Sequence, residues 1–310
     1  MINYQYLIRR SELFSTVTGF TLIQLNKLLP KFEIAYRQKE YERIPEDKRK
    51  RKMGGGRKSS LGDICGKLFF ILFYYRNYPT LRFAQVLFEI EDSAIHRWVV
   101  FLSLVLKEAL GYEIPLPTRQ MRSFSDLYAV YPELEEYIVD GTDRPFERSK
   151  DNKTQEMYYS GKKKRHTIKN QVFINPHNKK IIYATETLPG SVHDKTAIKE
   201  DGILNHASKS SLGMGDLGFE GTKKDYCWLK FVIPIKKKKC REKTNEEKQT
   251  NKIISSIRVR VEHVIGKLKI NRILSDKFRN NFQFADLAFK NCCYLYNFKQ
   301  DLKNYGLKKG

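Results

Sequence analysis

The chain has 310 residues, of which 41% are hydrophobic, and it carries a formal net charge of +23. This length allows two folded domains with sizeable cores, and the hydrophobic content is typical of a globular protein. The charge indicates a polyanionic partner, nucleic acid first and an anionic membrane surface second. A surface charge that serves only solubility is the competing interpretation.

Cysteine usage and the N-terminus predict a cytoplasmic protein. The five cysteines are odd in number and lack CxxC spacing, which argues against both a disulfide framework and a zinc site. The opening MINYQYLIRRSELF has no basic region followed by an apolar core, so no signal peptide is predicted. The apolar run LFFILFYY at 68–75 is too short to span a bilayer.

The N-terminal region is predicted to be helical, with helices over residues 7–17 and 21–39. Thr21 followed by Gln24 is a capping-box pattern at the start of the second helix. The segment 45–60 (PEDKRKRKMGGGRKSS) is basic and rich in glycine, which predicts a loop or flexible arm. Such an arm can lie along phosphates through Arg57 and Lys58. A solvated linker explains the composition equally well.

Residues 61–107 have helical periodicity that breaks at Asn77-Tyr78-Pro79. A short helix over 80–88, a turn over 89–92 and a helix capped by Ser93 follow. This is the plan of a helix-turn-helix, whose second helix enters the major groove. Ser93, His96 and Arg97 are then predicted to face DNA, although any helical bundle has corners of this kind.

The prolines of EIPLPTR (113–119) mark the predicted boundary between a helical domain at 1–115 and a second domain at 116–310. In the second domain the periodicity changes from helical to strand-like. The predicted strands are 137–140, a hairpin of 166–174 with 181–187, 212–217 and 231–235. The predicted helices are 124–131, 192–199, 253–269 and 285–303, with a charged run at 236–249.

The helix 253–269 places Arg258, Glu262 and Lys269 on one stripe about 40° wide. An apolar stripe beside it is wide enough to dock against a sheet. That apolar stripe consists of Ile254, Ile257, Val261, Val264 and Leu268. Arg260 and Lys267 lie on the far side and are expected to be free for solvent or DNA. An ordinary i,i+4 pair between Arg258 and Glu262 is the simpler interpretation of the first stripe.

Asp140 and Asp216 are each predicted to end an apolar strand, and such ends cluster in one crevice of an α/β sheet. If Glu262 faces the same crevice, three carboxylates repel one another unless a cation offsets them. Oxygen ligands suit Mg²⁺ or Mn²⁺, and two such ions serve phosphodiester chemistry. The simpler interpretation is that each Asp is a turn residue.

Five blocks in order make the chain resemble bacterial insertion-sequence transposases of the DDE superfamily, in the group allied to Harbinger transposons. The blocks are VDGTDRPF (139–146), YYSGKKKRHTIKNQ (158–171), LPGSVHDK (188–195), GDLGFEG (215–221) and Arg258…Glu262…Lys269. The resemblance covers about residues 45–275. It implies that Asp140, Asp216 and Glu262 bind the catalytic metals. It also implies an RNase H-like fold, with a mixed five-stranded sheet, helices on both faces and Asp140 on the central first strand.

The activity implied is metal-dependent cleavage of double-stranded DNA at transposon ends and strand transfer into a target. A DNA-binding relative without cleavage, a nuclease without strand transfer and a helical structural protein stay open as alternatives. Asp194 competes with Asp216 as second ligand, and is otherwise a supporting residue with Arg258, Lys269, His193 and Asp143. A homo-oligomer associated with the nucleoid is expected. The remaining residues expected to hold the DNA backbone are Lys162, Lys163, Lys164, Arg165, Lys236 and Lys237.

Overall fold

The computed structural model describes residues 4–43, 59–111, 136–207, 209, 211–237 and 241–307. They form two compact units. The helical unit takes its described residues from Met1–Glu113, Lys269–Asp276 and Asn280–Gly310, and the sheet unit from Ile114–Leu268 and Lys277–Arg279. Several predicted features lie outside the described residues. These are Arg57 and Lys58 with most of the basic segment, the helix at 124–131, and residues 238–240.

The chain alternates between helices and short strands after a purely helical beginning. The α-helices are α1 (Tyr4–Ile8), α2 (Ser11–Thr18), α3 (Leu22–Arg43), α4 (Ile64–Asn77), α5 (Leu81–Phe88), α6 (Asp92–Leu110), α7 (Asn152–Tyr158), α8 (Asp194–Asp201), α9 (Thr222–Asp225), α10 (Asn245–Lys269), α11 (Arg272–Ser275) and α12 (Phe282–Leu307). The strands are β1 (Glu136–Pro145), β2 (Tyr159–Ser160), β3 (Arg165–Ile174), β4 (Ile181–Ala184), β5 (Leu188–Pro189), β6 (Leu212–Met214) and β7 (Lys230–Val232). Helical turns of the 3₁₀ type occupy Ile203–His206 and Leu217–Phe219.

The start of α3 confirms the predicted capping box. The Gln24 amide donates to Thr21 Oγ1 at 3.3 Å, and the Thr21 amide donates to Gln24 Oε1 at 3.1 Å. The predicted break after α4 is also confirmed, because Asn77 ends the helix and Tyr78 adopts a left-handed φ of 44°. The prediction that Ser93 caps α6 is wrong. The helix already begins at Asp92, so Ser93 lies in its first turn.

The C-terminal helix α12 packs in the helical unit, which differs from the expected assignment of residues 280–307 to the second domain. Asn291 of α12 donates its Nδ2 to Tyr75 Oη at 3.0 Å and to the Ser103 carbonyl at 2.8 Å. Tyr75 Oη in turn donates to Ser103 Oγ at 2.9 Å. All three residues are fully or almost fully buried, so this hydrogen-bond network joins α4, α6 and α12 inside the core.

The sheet unit contains a mixed sheet in which β1 is an interior strand. The main path is β2–β3–β1–β6–β7, and β4 and β5 also pair with β3. Pairings of β3 are antiparallel, whereas β1 with β6 and β6 with β7 are parallel. The pairing of β3 with β4 confirms the predicted hairpin. The fold is therefore a mixed α/β sheet flanked by helices and preceded by a helical region.

The prediction that the first strand ends at Asp140 is wrong. Gly141 to Pro145 continue the antiparallel ladder, in which Gly141 lies opposite Gln171 and Pro145 lies opposite Thr167. Asp140 therefore lies in the middle of β1. Asp216 follows the end of β6 by two residues, as predicted for a group at the carboxyl end of a strand.

Helix α10 docks through the predicted apolar stripe. Ile254, Val261, Val264 and Leu268 are buried, and Ile257 is half-buried. The expectation that Arg260 is free is wrong, because its Nη1 donates to the Pro176 carbonyl at 2.8 Å. That bond ties α10 to the β3–β4 turn.

Among the described residues, no helix combines the length and the apolar character needed to cross a membrane.

Candidate acidic site

The acidic site, defined as Asp140, Asp216 and Glu262, is built from three segments of the sheet unit. Asp140 lies in β1, Asp216 follows β6 and Glu262 lies in α10. In the parallel pairing of β1 with β6, Ile138 lies opposite Met214. Asp140 and Asp216 each follow these partners by two residues, so the register brings both to the same level of the sheet. Glu262 comes from α10, one turn after Arg258.

Asp140 is mostly buried. Its side chain is 18% exposed, and its Oδ1 accepts a bond from the Gly141 amide at 2.8 Å. Burial raises the pKa of Asp140 to about 6, with further upward contributions from the Asp216 and Glu262 carboxylates. The Arg258 guanidinium and the Gly141 amide oppose that rise. The pKa of Asp140 therefore depends on both other acids and on Arg258.

Arg258 lies between two of the acids. Its Nη2 is 3.9 Å from Asp140 Oδ2 and 3.7 Å from Glu262 Oε1. These are ion-pair distances but too long for hydrogen bonds. The side chain of Arg258 is 16% exposed, and its buried Nε has no hydrogen-bond partner in the described part of the chain. Glu262 is 54% exposed, so the acidic site runs from the buried sheet towards solvent.

Asp216 has a structural contact of its own. It stands at the N-terminus of the 3₁₀ turn 217–219, and its Oδ1 accepts the Gly218 amide at 2.7 Å. This contact leaves the second carboxylate oxygen for another ligand, since an ionised carboxylate can accept several bonds.

Asp194 is held by two side chains of β3. Its Oδ1 accepts Lys169 Nζ at 3.1 Å and Gln171 Nε2 at 3.0 Å. Burial alone would raise the pKa of Asp194, but the Lys169 ammonium and the Gln171 amide outweigh it and hold the pKa below its usual value. Asp194 is therefore an ionised carboxylate already neutralised by a protein partner.

Two glycines bring Asp194 close to the acidic site. A Cβ on Gly141 would stand 2.8 Å from Asp194 Oδ1, and one on Gly218 would stand 2.8 Å from both Asp194 Oδ2 and Asp216 Oδ1. Such distances are below ordinary contact, so a larger residue at either position would displace these carboxylates.

The sequence motifs do not identify Lys169 and Gln171 as site residues. Their signal is the alternation within HTIKNQ, since residues two apart in a strand share one face. In the β1–β3 register, Gln171 lies opposite Gly141 and Lys169 lies opposite Asp143. Only the register shows that this face lies beside the residue that follows Asp140.

The other supporting candidates have local contacts. The ring of His193 accepts the Lys195 amide at 3.4 Å through Nδ1, at the N-terminus of α8. Asp143 Oδ1 accepts Thr167 Oγ1 at 3.3 Å across the β1–β3 pair. Lys269 is the last residue of α10 and falls in the helical unit.

The basic candidates differ in how they are paired. Lys162, Lys163, Lys164 and Arg165 are exposed at and beside the turn before β3. Lys236 pairs with Glu220 at 2.9 Å, and Lys237 pairs with Glu242.

In the helical unit, Ser93, His96 and Arg97 are exposed on α6. His96 and Arg97 line an open groove of about 640 Å³ together with Lys39 and Arg43 of α3.

The donors of the acidic site fit a hard divalent cation, since all three are carboxylates and Asp140 is under repulsion that a cation would relieve. Their side chains do not form a preorganised coordination site. Within the described ranges, no three His, Cys, Asp or Glu side chains are arranged so that they could hold a metal ion.

Comparisons with known proteins identify the same segment. Residues 139–297 match the family model described as DDE superfamily endonuclease, a segment that includes Asp140, Asp216 and Glu262. A probable transposase for insertion sequence element IS702 from Microchaete diplosiphon is 28% identical over 260 residues, which cover 84% of this chain and 88% of the relative. No solved structure matches the chain significantly.

Proposed function

The chain belongs to the DDE superfamily endonucleases, and from this membership we propose that it is a transposase. It cuts DNA at transposon ends and joins the freed 3′ ends to target DNA. The similarity to a probable insertion-sequence transposase over most of both chains supports this proposal. The observation that carries it is that Asp216, Glu262 and Arg258 all lie near enough to Asp140 to change the pKa of its carboxylate.

Asp140, Asp216 and Glu262 are the proposed ligands of two Mg²⁺ or Mn²⁺ ions. Such ions, when bound, lower the pKa of an attacking water and stabilise charge on the leaving oxygen. Asp140 would act together with both other acids in holding the ions, because its carboxylate is influenced by each of them. Asp194 is the less suitable second ligand, since Lys169 and Gln171 already engage it.

The proposed reaction has two balanced steps. In the first, a water oxygen attacks phosphorus while the bond from phosphorus to the 3′ oxygen breaks, which leaves a 3′-hydroxyl and a 5′-phosphate. In the second, that hydroxyl attacks a target phosphodiester, so that one P–O bond forms as another breaks. Each step adds negative charge around phosphorus, and Arg258 supplies a fixed cation beside it.

We also propose an RNase H-like fold, a DNA-binding helix-turn-helix and a multimeric state. The interior position of β1 and the mixed sheet support an RNase H-like fold. The corner formed by α5 and α6, with exposed Ser93, His96 and Arg97, supports a helix-turn-helix that binds DNA. A multimer acting on two transposon ends near the nucleoid follows from the family resemblance.

Two DNA substrates test the proposal. One is an intact duplex that carries the end of the encoding element, and the other is the same end already cut to expose its 3′-hydroxyl. We expect the protein to cut the first and to join the second to plasmid DNA in Mg²⁺, and Glu262→Gln to do neither. Glu242→Gln, which alters an exposed acid paired with Lys237, is the matched control and should retain both activities.

The alternatives give different results in this assay. A nuclease without strand transfer cuts the intact duplex but leaves the precut end unjoined. A DNA-binding protein without cleavage retards both substrates in a gel and changes neither.

A further inference from the structure

The basic hairpin, defined as residues 159–166, is a built structure at one end of β3. Tyr159 pairs with His166 and Ser160 pairs with Arg165 in antiparallel register. The Lys163 amide donates to the Ser160 carbonyl at 3.2 Å, and Lys164 has a left-handed φ of 51°. A non-glycine residue in that conformation is uncommon and marks a defined turn. Backbone pairing therefore fixes the turn that carries the cations.

The hairpin presents four consecutive cations that form no close ion pairs in the described part of the chain. Within the described part of the chain, none of the side chains of Lys162, Lys163, Lys164 and Arg165 forms an ion pair with an acid within 4 Å. The other lysine run differs, because Lys236 pairs with Glu220 and Lys237 with Glu242. An unpaired run of like charge attracts an external anion, and a polyphosphate supplies several in a row.

An exposed aromatic ring lies at the base of these cations. Tyr159 is 45% exposed. Its ring meets the His166 ring edge-on, with centroids 5.7 Å apart and planes at 70°. Exposed aromatic rings beside basic side chains are the platform on which proteins stack bases of single strands. A paired duplex keeps its bases stacked inside, so such a platform suits nucleotides that have lost their partners.

The hairpin lies near the acidic site. Lys162 is close enough to Asp194 to contribute to the lowering of its pKa. Asp194 in turn lies beside Gly141 and Gly218, next to Asp140 and Asp216. Ser191 donates its Oγ to the Met157 carbonyl at 2.6 Å, which anchors the end of α7, just before the hairpin, to the segment that leads to Asp194.

We propose that the basic hairpin binds unpaired nucleotides of the DNA strand next to the cut. A base stacks on Tyr159, and the following phosphates contact Lys162 to Arg165. This inference rests on the proposed function only in assigning the strand to a cleaved end, since the stacking and charge contacts need no catalysis.

Binding without cleavage tests the inference. The probes are fluorescein-labelled duplexes of arbitrary sequence, either blunt or with a short oligothymidylate tail, measured by anisotropy in EDTA. The parent protein should prefer the tailed duplex. Tyr159→Ala should weaken tailed binding about tenfold and leave blunt binding unchanged, because one stacked base contributes on that order. Tyr159→Phe should retain the preference, since it keeps the ring.

Controls separate stacking from folding and from charge. Trp228→Ala removes another exposed aromatic of the sheet unit and should leave the preference intact. Replacing Lys163 and Lys164 by Gln should make binding of the tailed duplex less sensitive to salt. The slope of log K against log salt concentration should become shallower by about 0.7 per lost phosphate contact. A 2-aminopurine in the tail should change its fluorescence on binding to the parent and not to Tyr159→Ala.

Equal preference for the tailed duplex in the parent and in folded Tyr159→Ala would overturn the inference. The proposed function fails separately, through absence of cleavage in Mg²⁺. Tyr159-dependent tail binding by a protein that does not cut would leave the hairpin assignment standing alone.

Discussion

The Arg258 guanidinium lies 3.9 Å from the Asp140 carboxylate, and both side chains are mostly buried. The pair joins α10 to the middle of β1. The sequence pattern predicts a strand that ends at Asp140. The Asp216 and Glu262 carboxylates also raise the pKa of Asp140, so its protonation reports on the acidic site.

Asp140→Asn should stabilise the metal-free protein at neutral pH. The pKa of Asp140 is raised to about 6, so the folded state binds its proton more tightly than the unfolded state. This tighter proton binding stabilises the folded state fully when the pH is below 3.8, the pKa of Asp140 in the unfolded chain. The stabilisation is lost as the pH rises through about 6, its pKa in the folded state. Urea denaturation in EDTA at pH 8 should show a gain on the order of 1–3 kcal/mol in Asp140→Asn. The gain should vanish below about pH 4; a gain equal at both pH values would contradict the assignment.

Arg258 should couple to Asp140 energetically. Arg258→Gln leaves a buried carboxylate without its cation, so it should cost more stability in the parent than in Asp140→Asn. A double-mutant cycle in EDTA at pH 8 should give a coupling of about 1 kcal/mol. Arg272→Gln removes an ion pair with Asp276 whose Arg is 62% exposed, and it should cost less than about 0.5 kcal/mol. A zero coupling would show that the 3.9 Å contact is not energetically meaningful.

Gly141 and Gly218 should not tolerate alanine. Each added methyl would stand 2.8 Å from a carboxylate oxygen, so Asp194 or the backbone must move. We expect each variant to lose about 1–3 kcal/mol of folding free energy and most of its cleavage activity. The control is Gly266→Ala in α10, where nothing lies within 4 Å of the new methyl. That change should stabilise the helix by up to about 1 kcal/mol, and equal effects at all three positions would argue against steric crowding.

Asp216 and Asp194 should differ in their effect on metal affinity. Asp216→Asn removes a proposed ligand and should weaken Mn²⁺ binding by about tenfold or more, measured by calorimetry. Asp194→Asn leaves Lys169 without its carboxylate, so it should lower the Tm while changing Mn²⁺ affinity by less than about threefold. The reverse pattern would exchange the roles of the two residues.

Local patterns in the sequence predicted much of this structure. The capping box of Thr21 and Gln24, the β3–β4 hairpin and the buried face of α10 depend on residues close together in the chain, and all are present. The extent of β1 could not be predicted in the same way. Gly141 looks like a strand terminator until its partner Gln171 is known.

Long-range pairing decided the remaining features. The neutralisation of Asp194 by Lys169 joins residues 25 positions apart, and Asn291 meets Tyr75 across 216 positions. The contact between Arg260 and the Pro176 carbonyl likewise has no signal within either segment. Composition and spacing identify candidate acids, whereas strand register determines which of them meet.

Cleavage of end-bearing DNA by Asp140→Asn tests the central claim most directly. The matched control is Glu242→Gln, which alters an exposed acid paired with Lys237. With both variants folded and Mg²⁺ present, we expect Asp140→Asn to cut at background level and Glu242→Gln to retain cleavage. Cleavage by Asp140→Asn at the parent's rate would contradict the assignment of the acidic site.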